Sequence, residues 1–251
     1  MRAIRRDFLP SDLEKEIRDA GVDGVITIQA RQSLEETRWL LGMASENAFI
    51  RGVVGWVPLI DPSVLKVLET LADETRLCAV RHVVQSEPDG FLTRKDFNRG
   101  VSFLREVGLA YDLLVLEHQL PEAIRFVDQH PEQIFVLDHL AKPRIQDQLP
   151  GPWRRNLNEL AQRGNVFCKV SGLVTEADFV TGNEFQLRPF FDVALEAFGA
   201  ARLMFGTDWP VCLVACHYRR WYDIVCGFTA SLSSEEKADI FGRTAERAYG
   251  L

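Results

Sequence analysis

The sequence predicts an α/β fold of the (β/α)8 TIM-barrel-like type with its first strand missing, so that seven parallel strands stand among surrounding helices. Three observations predict it. Short β-branched runs alternate with helical patterns; most of the runs are almost continuously apolar, as strands covered on both faces are; and one strand follows the last at about 30 residues, the length of a βα unit. With 251 residues, 47% hydrophobic and 26% charged, and no linker or low-complexity stretch, the chain suits one barrel domain over 1–251.

The elements follow in order. A helix opens the chain, with Ser11 and Glu14 spaced as a capping box and Gly21 as its C-terminal cap. Strand 24–30 (GVITIQA) follows, then a helix started by Ser33 with Glu36, strand 53–59 (VVGWVPL) and helix 63–73. Strand 77–84 (LCAVRHVV) leads to helix 94–107, capped by Gly108, and strand 109–115 (LAYDLLV) to helix 121–129. Strand 134–140 (IFVLDHL) precedes helix 153–163, strand 166–173 (VFCKVSGL) precedes helix 188–198, and strand 203–208 (LMFGTD) precedes helix 218–230. A final helix, 235–249, starts at the box of Ser233 with Glu236.

A barrel of eight units begins with a strand, whereas this chain begins with a helix. The expectation is therefore an N-terminally truncated barrel whose two open sheet edges favour a homo-oligomer. The net charge of −7 argues against nucleic acid and against an anionic membrane, since both need clustered basic residues. No apolar run follows the basic opening residues 1–7, and the longest one, 48–60, is broken by Arg51 and too short to span a bilayer. The five cysteines, at 78, 168, 212, 216 and 226, have no framework spacing, and Cys212 with Cys216 lacks the second pair of a zinc knuckle. A soluble protein of the reducing cytoplasm is the expectation.

In such barrels the chemistry sits at the C-terminal ends of the strands. Those ends offer Gln29, Trp56, Arg81, His82, Gln85, Asp112, Asp138, His139, Lys142, Lys169, Ser171, Thr207, Asp208 and Trp209. Alternation leaves only one of Arg81 and His82, and one of Asp138 and His139, facing the barrel. Asp208 reads as a helix cap or a partner for Arg81 or Lys169, or as an acid that reacts. His139 and His82 read as core histidines or as functional ones, and His118, His130 and His217 as surface residues. Lys169, inside an apolar strand, needs a reason. It reads as a counter-ion to Asp208, as an anchor for a substrate carboxylate, or as a Schiff-base nucleophile.

The segments RRDFLPSDL, GVVGWVPL, VRHVVQ, YDLLV, LDHLAKP, CKVSGLVTEAD, LMFGTDWPVC and IFGRTAERAYGL together resemble the amidohydrolase-related family of TIM-barrel hydrolases, in its branch of L-fuconolactone and L-rhamnonolactone hydrolases. The resemblance implies hydrolysis of a sugar-acid lactone by an activated water. Asp208, His139 and His82 would be catalytic, and Gln29, Trp56, Arg81, Lys142, Lys169 and Trp209 would bind the substrate. It also implies a divalent metal, zinc or manganese, on Asp208 and His139. The family's His-x-His pair on strand one has no counterpart here, so that ion would be weakly held. The alternatives are an inactive barrel that only binds, and a Schiff-base lyase using Lys169.

Overall fold

The computed structural model describes residues 2–147, 151–177 and 184–251; Met1 and Asp178, which belong to segments discussed above, lie outside them. Its strands are β1 (Val25–Ile28), β2 (Ile50–Gly55), β3 (Leu77–His82), β4 (Ala110–Leu113), β5 (Phe135–Leu137), β6 (Val166–Val170) and β7 (Leu203–Phe205). The main helices are α1 (Pro10–Ala20), α2 (Leu34–Glu46), α3 (Val64–Thr70), α4 (Lys95–Glu106), α5 (Leu120–Asp128), α6 (Gly151–Leu160), α7 (Leu173–Glu176), α8 (Glu184–Phe198) and α9 (Tyr218–Phe228). The C-terminal segment is α10 (Ser234–Ala238), a π-helical turn (Asp239–Arg243) and α11 (Thr244–Tyr249), so the single helix expected over 235–249 is interrupted by that turn. The seven strands form one sheet in sequence order, each pair parallel, with β1 and β7 at its edges.

The expected strands are all present, but their C-terminal ends are shorter than the apolar runs. β5 stops at Leu137 and β7 at Phe205, which leaves His139 and Asp208 on turns beyond the ladder. The start of α1 also differs. Leu9 is its N-cap, Pro10 its first residue, and Asp12 accepts from the Leu9 N–H at 3.0 Å, so Ser11 lies inside the first turn. Ser233 and Glu236 form the full reciprocal box. At Ser33 only the hydroxyl half forms, because the Glu36 carboxylate turns to the N–H groups of Ala30 and Arg31.

The opening between β1 and β7 is covered by helices rather than by a strand. Ile17 and Ala20 of α1 pack with Tyr218 of α9, and Val25 and Trp209 pack against them from the two sides. Arg219 Nη1 of α9 donates to the carbonyl of Asp19 at 2.7 Å. Every residue of β1 keeps partial exposure.

Most of the core lies between sheet and helices. There α4 approaches so closely that a Cβ on Gly100 would stand 2.0 Å from the Leu59 carbonyl oxygen. A second, smaller cluster lies inside the sheet's curl. Val54, Ala79, Ala110, Val136 and Met204 meet Ala248 and Tyr249, so the chain's C-terminal end plugs the sheet from its N-terminal side. Short side chains at 79 and 110 leave the volume that the Tyr249 ring fills.

Above that plug the inward positions carry charge. Arg81 pairs in register with Asp112, and Lys169 with Met204, so strand periodicity turns all of them to the same face. Lys169 forms ion pairs with Asp112 and, at 2.8 Å, with Asp138; Arg81 Nη1 meets the other Asp138 oxygen at 2.9 Å. The Tyr249 hydroxyl donates to Asp112, 2.8 Å from Oδ1 and 3.0 Å from Oδ2. Burial favours neutral Lys169, but Asp112 and Asp138 outweigh it and hold the ammonium above its ordinary pKa. Burial likewise pushes Asp138 upward, and Lys169 and Arg81 together bring it well below the usual carboxylate range. Lys169 is therefore the counter-ion of Asp112 and Asp138 rather than of Asp208. As a protonated, doubly paired ammonium it is also a poor Schiff-base nucleophile.

Two tests follow from this packing. Gly100→Ala should lower unfolding free energy by roughly 1–3 kcal/mol, whereas Gly42→Ala, on an open face of α2, should raise it by about 0.5–1 kcal/mol in the same urea titration. Lys169→Met should cost about 3–5 kcal/mol, because it removes the ammonium shared by two buried carboxylates; a loss under 1 kcal/mol would show that the ion cluster is not a structural requirement.

Candidate active site

The site is built on the turns that follow β5, β6 and β7. After β5 the chain enters an unusual run: His139, Leu140, Ala141 and Lys142 all have left-handed backbones, with φ between 49° and 59°. Four consecutive non-glycine residues in that region are strained. The run is held by Lys142 N–H donating to the His139 carbonyl at 2.8 Å and by Trp153 Nε1 donating to the Leu140 carbonyl at 2.8 Å. Its effect is to swing His139 off the outward face that strand alternation predicts for it. Asp138 and His139 therefore both serve the barrel mouth, one below and one at the rim.

His139 Nδ1 lies 2.7 Å from Ser171 Oγ, and Nε2 lies 3.9 Å from Asp208 Oδ1. Gly172, at φ 70°, lets the ring sit there, since a Cβ on it would be 2.9 Å from the imidazole. Burial lowers the His139 pKa against the opposing pull of Asp208 and Asp138, so a neutral ring is favoured. Asp208 also has a left-handed backbone, φ 56°, and is part-exposed on the turn after β7. Glu176 of α7 is half-buried beside them; burial raises its pKa, Lys142 opposes the shift and Asp208 adds to it.

The floor of the mouth is the ion cluster. Arg81 Nη2 donates to the Gln29 carbonyl, and Gln29 Nε2 returns a bond to the Arg81 carbonyl at 3.1 Å, which clasps the ends of β1 and β3. Among the described residues, Arg81 Nε, Gln29 Oε1 and Trp209 Nε1 are buried with no hydrogen-bond partner. Unpartnered buried polar atoms are uncommon, and these three belong to residues in or just beyond β3, β1 and β7.

The other expected site residues have contacts of their own. His82 is buried and stacks on Phe91 with ring centroids 4.9 Å apart; Nε2 meets Glu87 Oε1 at 2.9 Å and Nδ1 meets Trp56 Nε1 at 3.4 Å. Both its ring nitrogens are engaged away from Asp208, and burial lowers its pKa despite Glu87. Trp56 is fixed by reciprocal bonds, each 2.8 Å, between its backbone and Thr37 Oγ1, and Gly55 lets α2 come close enough to make them. Trp209 packs edge-on against Phe8 at 5.2 Å. His118 and His217 are exposed as expected, but His130 is half-buried, bonded to Asn98 at 2.8 Å and packed on Phe126. Ser171, Asp112 and Asp138 stood among the strand-end candidates without a role. Glu87, Glu176 and Tyr249 carried no signal in the sequence.

His139 and Asp208 are a two-donor set for a metal, and among the described residues no group of three or more His, Cys, Asp or Glu side chains is placed to hold an ion. A stable zinc site takes at least three protein ligands, so the residues present do not complete one. All five cysteines are free thiols. Among the described residues no helix is long and apolar enough to cross a membrane.

Comparison with known proteins agrees with this architecture. An L-fucono-1,5-lactonase of Burkholderia multivorans is 39% identical over 265 residues, covering 100% of this chain and 88% of that protein. An L-fucono-1,5-lactonase of Burkholderia ambifaria is 32% identical, covering 99% of the chain and 87% of that protein. A crystal structure of a Burkholderia multivorans amidohydrolase with bound zinc superposes with a TM-score of 0.95 at 39% identity, covering 100% of this chain and 91% of the other. The Amidohydrolase family matches residues 2–251, and the chain belongs to that family.

Proposed function

We propose that this protein opens the ring of a sugar-acid lactone, of the L-fucono- or L-rhamnonolactone kind, with an activated water. The observation that carries this reading is the pairing of His139 and Asp208, 3.9 Å apart, on the turns beyond β5 and β7. The two lactonases more than 30% identical to the chain support the same reaction.

Ester hydrolysis needs a base for water, a donor for the oxyanion and a proton for the leaving alkoxide. Asp208 takes the proton from water as its oxygen attacks the lactone carbonyl. His139, neutral and oriented by Ser171, and Lys142 polarise that carbonyl and steady the oxyanion. Collapse breaks the ring C–O bond, and the proton held by Asp208 passes to the departing ring oxygen, giving the open hydroxy acid. Arg81 Nε, Gln29 Oε1 and Trp209 Nε1 take hydroxyls of the sugar, with Trp56 and Trp209 as apolar walls. Lys169 acts beneath, through Asp138 and Arg81, and His82 acts by holding Trp56. A carbohydrate-metabolising role in the cytoplasm suits this chemistry. With only His139 and Asp208 as donors among the described residues, zinc or manganese would be held weakly, and no step above is routed through a metal.

Three outcomes test the reading. Asp208→Asn should cut turnover of L-fucono-1,5-lactone by about 10²–10⁴-fold; an unchanged rate would exclude Asp208 as the base. Gly172→Ala, which pushes on the His139 ring, should lower kcat by about tenfold with the fold retained by circular dichroism. Calorimetric titration with zinc should show binding that His139→Asn weakens further, and a tight site unaffected by that change would place the metal elsewhere.

A further inference from the structure

We infer that Tyr249, two positions before the chain's last residue and on the opposite side of the barrel from the mouth, is a positioning residue for the active site, acting through the buried series Asp112, Lys169, Asp138 and Arg81; the inference rests on the lactonase reading. The contacts are continuous. The Tyr249 hydroxyl reaches both Asp112 oxygens, at 2.8 and 3.0 Å, and for Oδ1 it is the donor the structure supplies. Lys169 binds the other oxygen, Oδ2, and spans to Asp138 at 2.8 Å. Asp138 holds Arg81 at 2.9 Å, and Arg81 clasps the Gln29 carbonyl at the end of β1. Asp138 is also the residue that enters the left-handed run carrying His139.

The chemistry explains why the hydroxyl matters. A fully buried carboxylate needs donors on both oxygens, and those of Asp112 come from one phenol and one ammonium. Without the phenol, Lys169, which also stands 5.6 Å from the Tyr249 ring centroid, is drawn to straddle both Asp112 oxygens and leaves Asp138. Asp138 then keeps Arg81 alone, and the guanidinium, whose buried Nε has no hydrogen-bond partner among the described residues, shifts with it. The packing of the ring is separable from this effect, because Phe fills the same volume among Ala79, Ala110 and Val136.

The test is Tyr249→Phe in the full 251-residue chain, with two readouts: steady-state hydrolysis of L-fucono-1,5-lactone, and the Arg81 Nε–H cross-peak in nitrogen-15 NMR, assigned with Arg81→Lys. The expected result is a fall in kcat of about tenfold with KM within about twofold, together with a moved Arg81 resonance. In the Asp112→Asn background, Tyr249→Phe should add no further loss. A variant that melts earlier but keeps kcat, or an Arg81 resonance that stays in place, overturns the inference and leaves Tyr249 as packing alone. If the wild-type chain hydrolyses no lactone, the lactonase reading fails, and the Arg81 resonance by itself then decides whether Tyr249 governs the floor of the mouth. Should Tyr249→Phe fail to fold, Asp112→Asn, which keeps the ring and its hydroxyl, must reproduce the Arg81 shift or the inference falls.

Discussion

Two carboxylates inside an apolar sheet cannot both stay ionised without a cation between them, and in this protein that cation is Lys169. Its ammonium touches Asp112 on one side and Asp138 on the other. From this contact the interior divides into an apolar plug below and a charged floor above. Arg81 can then be buried near the mouth because Asp138 remains charged to receive it. A buried ion pair is weak evidence of stability compared with a hydrophobic replacement, but removing one member alone is costly. The cluster is best understood as specifying geometry: it fixes how β3, β4, β5 and β6 face one another at the level where the loops begin.

The helical layer solves a second problem. A sheet whose end strands do not meet presents two rows of unpaired backbone groups, which invite association with other chains. Here α1 lies against α9, and Val25 and Trp209 approach them from the opposite edges. Trp209 thus packs against α1 and α9. The same residue that borders the proposed sugar site also ties the β7 turn to α1, so the first helix and the last βα unit share control of that wall.

Much of this was legible in the sequence. The seven strands and their order follow from apolar runs at a βα spacing, and Asp208, His139, Arg81 and Lys169 stood out as polar residues at strand ends. What could not be read was how each strand ended. Runs such as IFVLDHL look like uninterrupted strand, yet the ladder stops at Leu137 because the next residues close a left-handed turn that no local propensity announces. Alternation, which allows only one of Asp138 and His139 to face the barrel, consequently fails at that pair while it correctly separates Arg81 from His82. The partner of Lys169 was misread for a different reason: Asp112 and Asp138 each lie more than thirty positions away along the chain, and only the curl of the sheet brings them to one point. Tyr249 was invisible, since an aromatic residue ending an amphipathic helix looks like ordinary core.

The left-handed run from His139 to Lys142 has one further consequence, for which substitutions these four positions admit. Side chains branched at Cβ are strongly disfavoured where φ is positive, whatever their polarity. Leu140 and Ala141 meet that demand with no branch at Cβ, as His139 and Lys142 do. Steric handedness thus screens the candidates before chemistry chooses among them, and valine, isoleucine or threonine is strongly disfavoured even at the two positions given no part in the proposed reaction. Tolerance along this turn reports the hand of the backbone first and the needs of the reaction second.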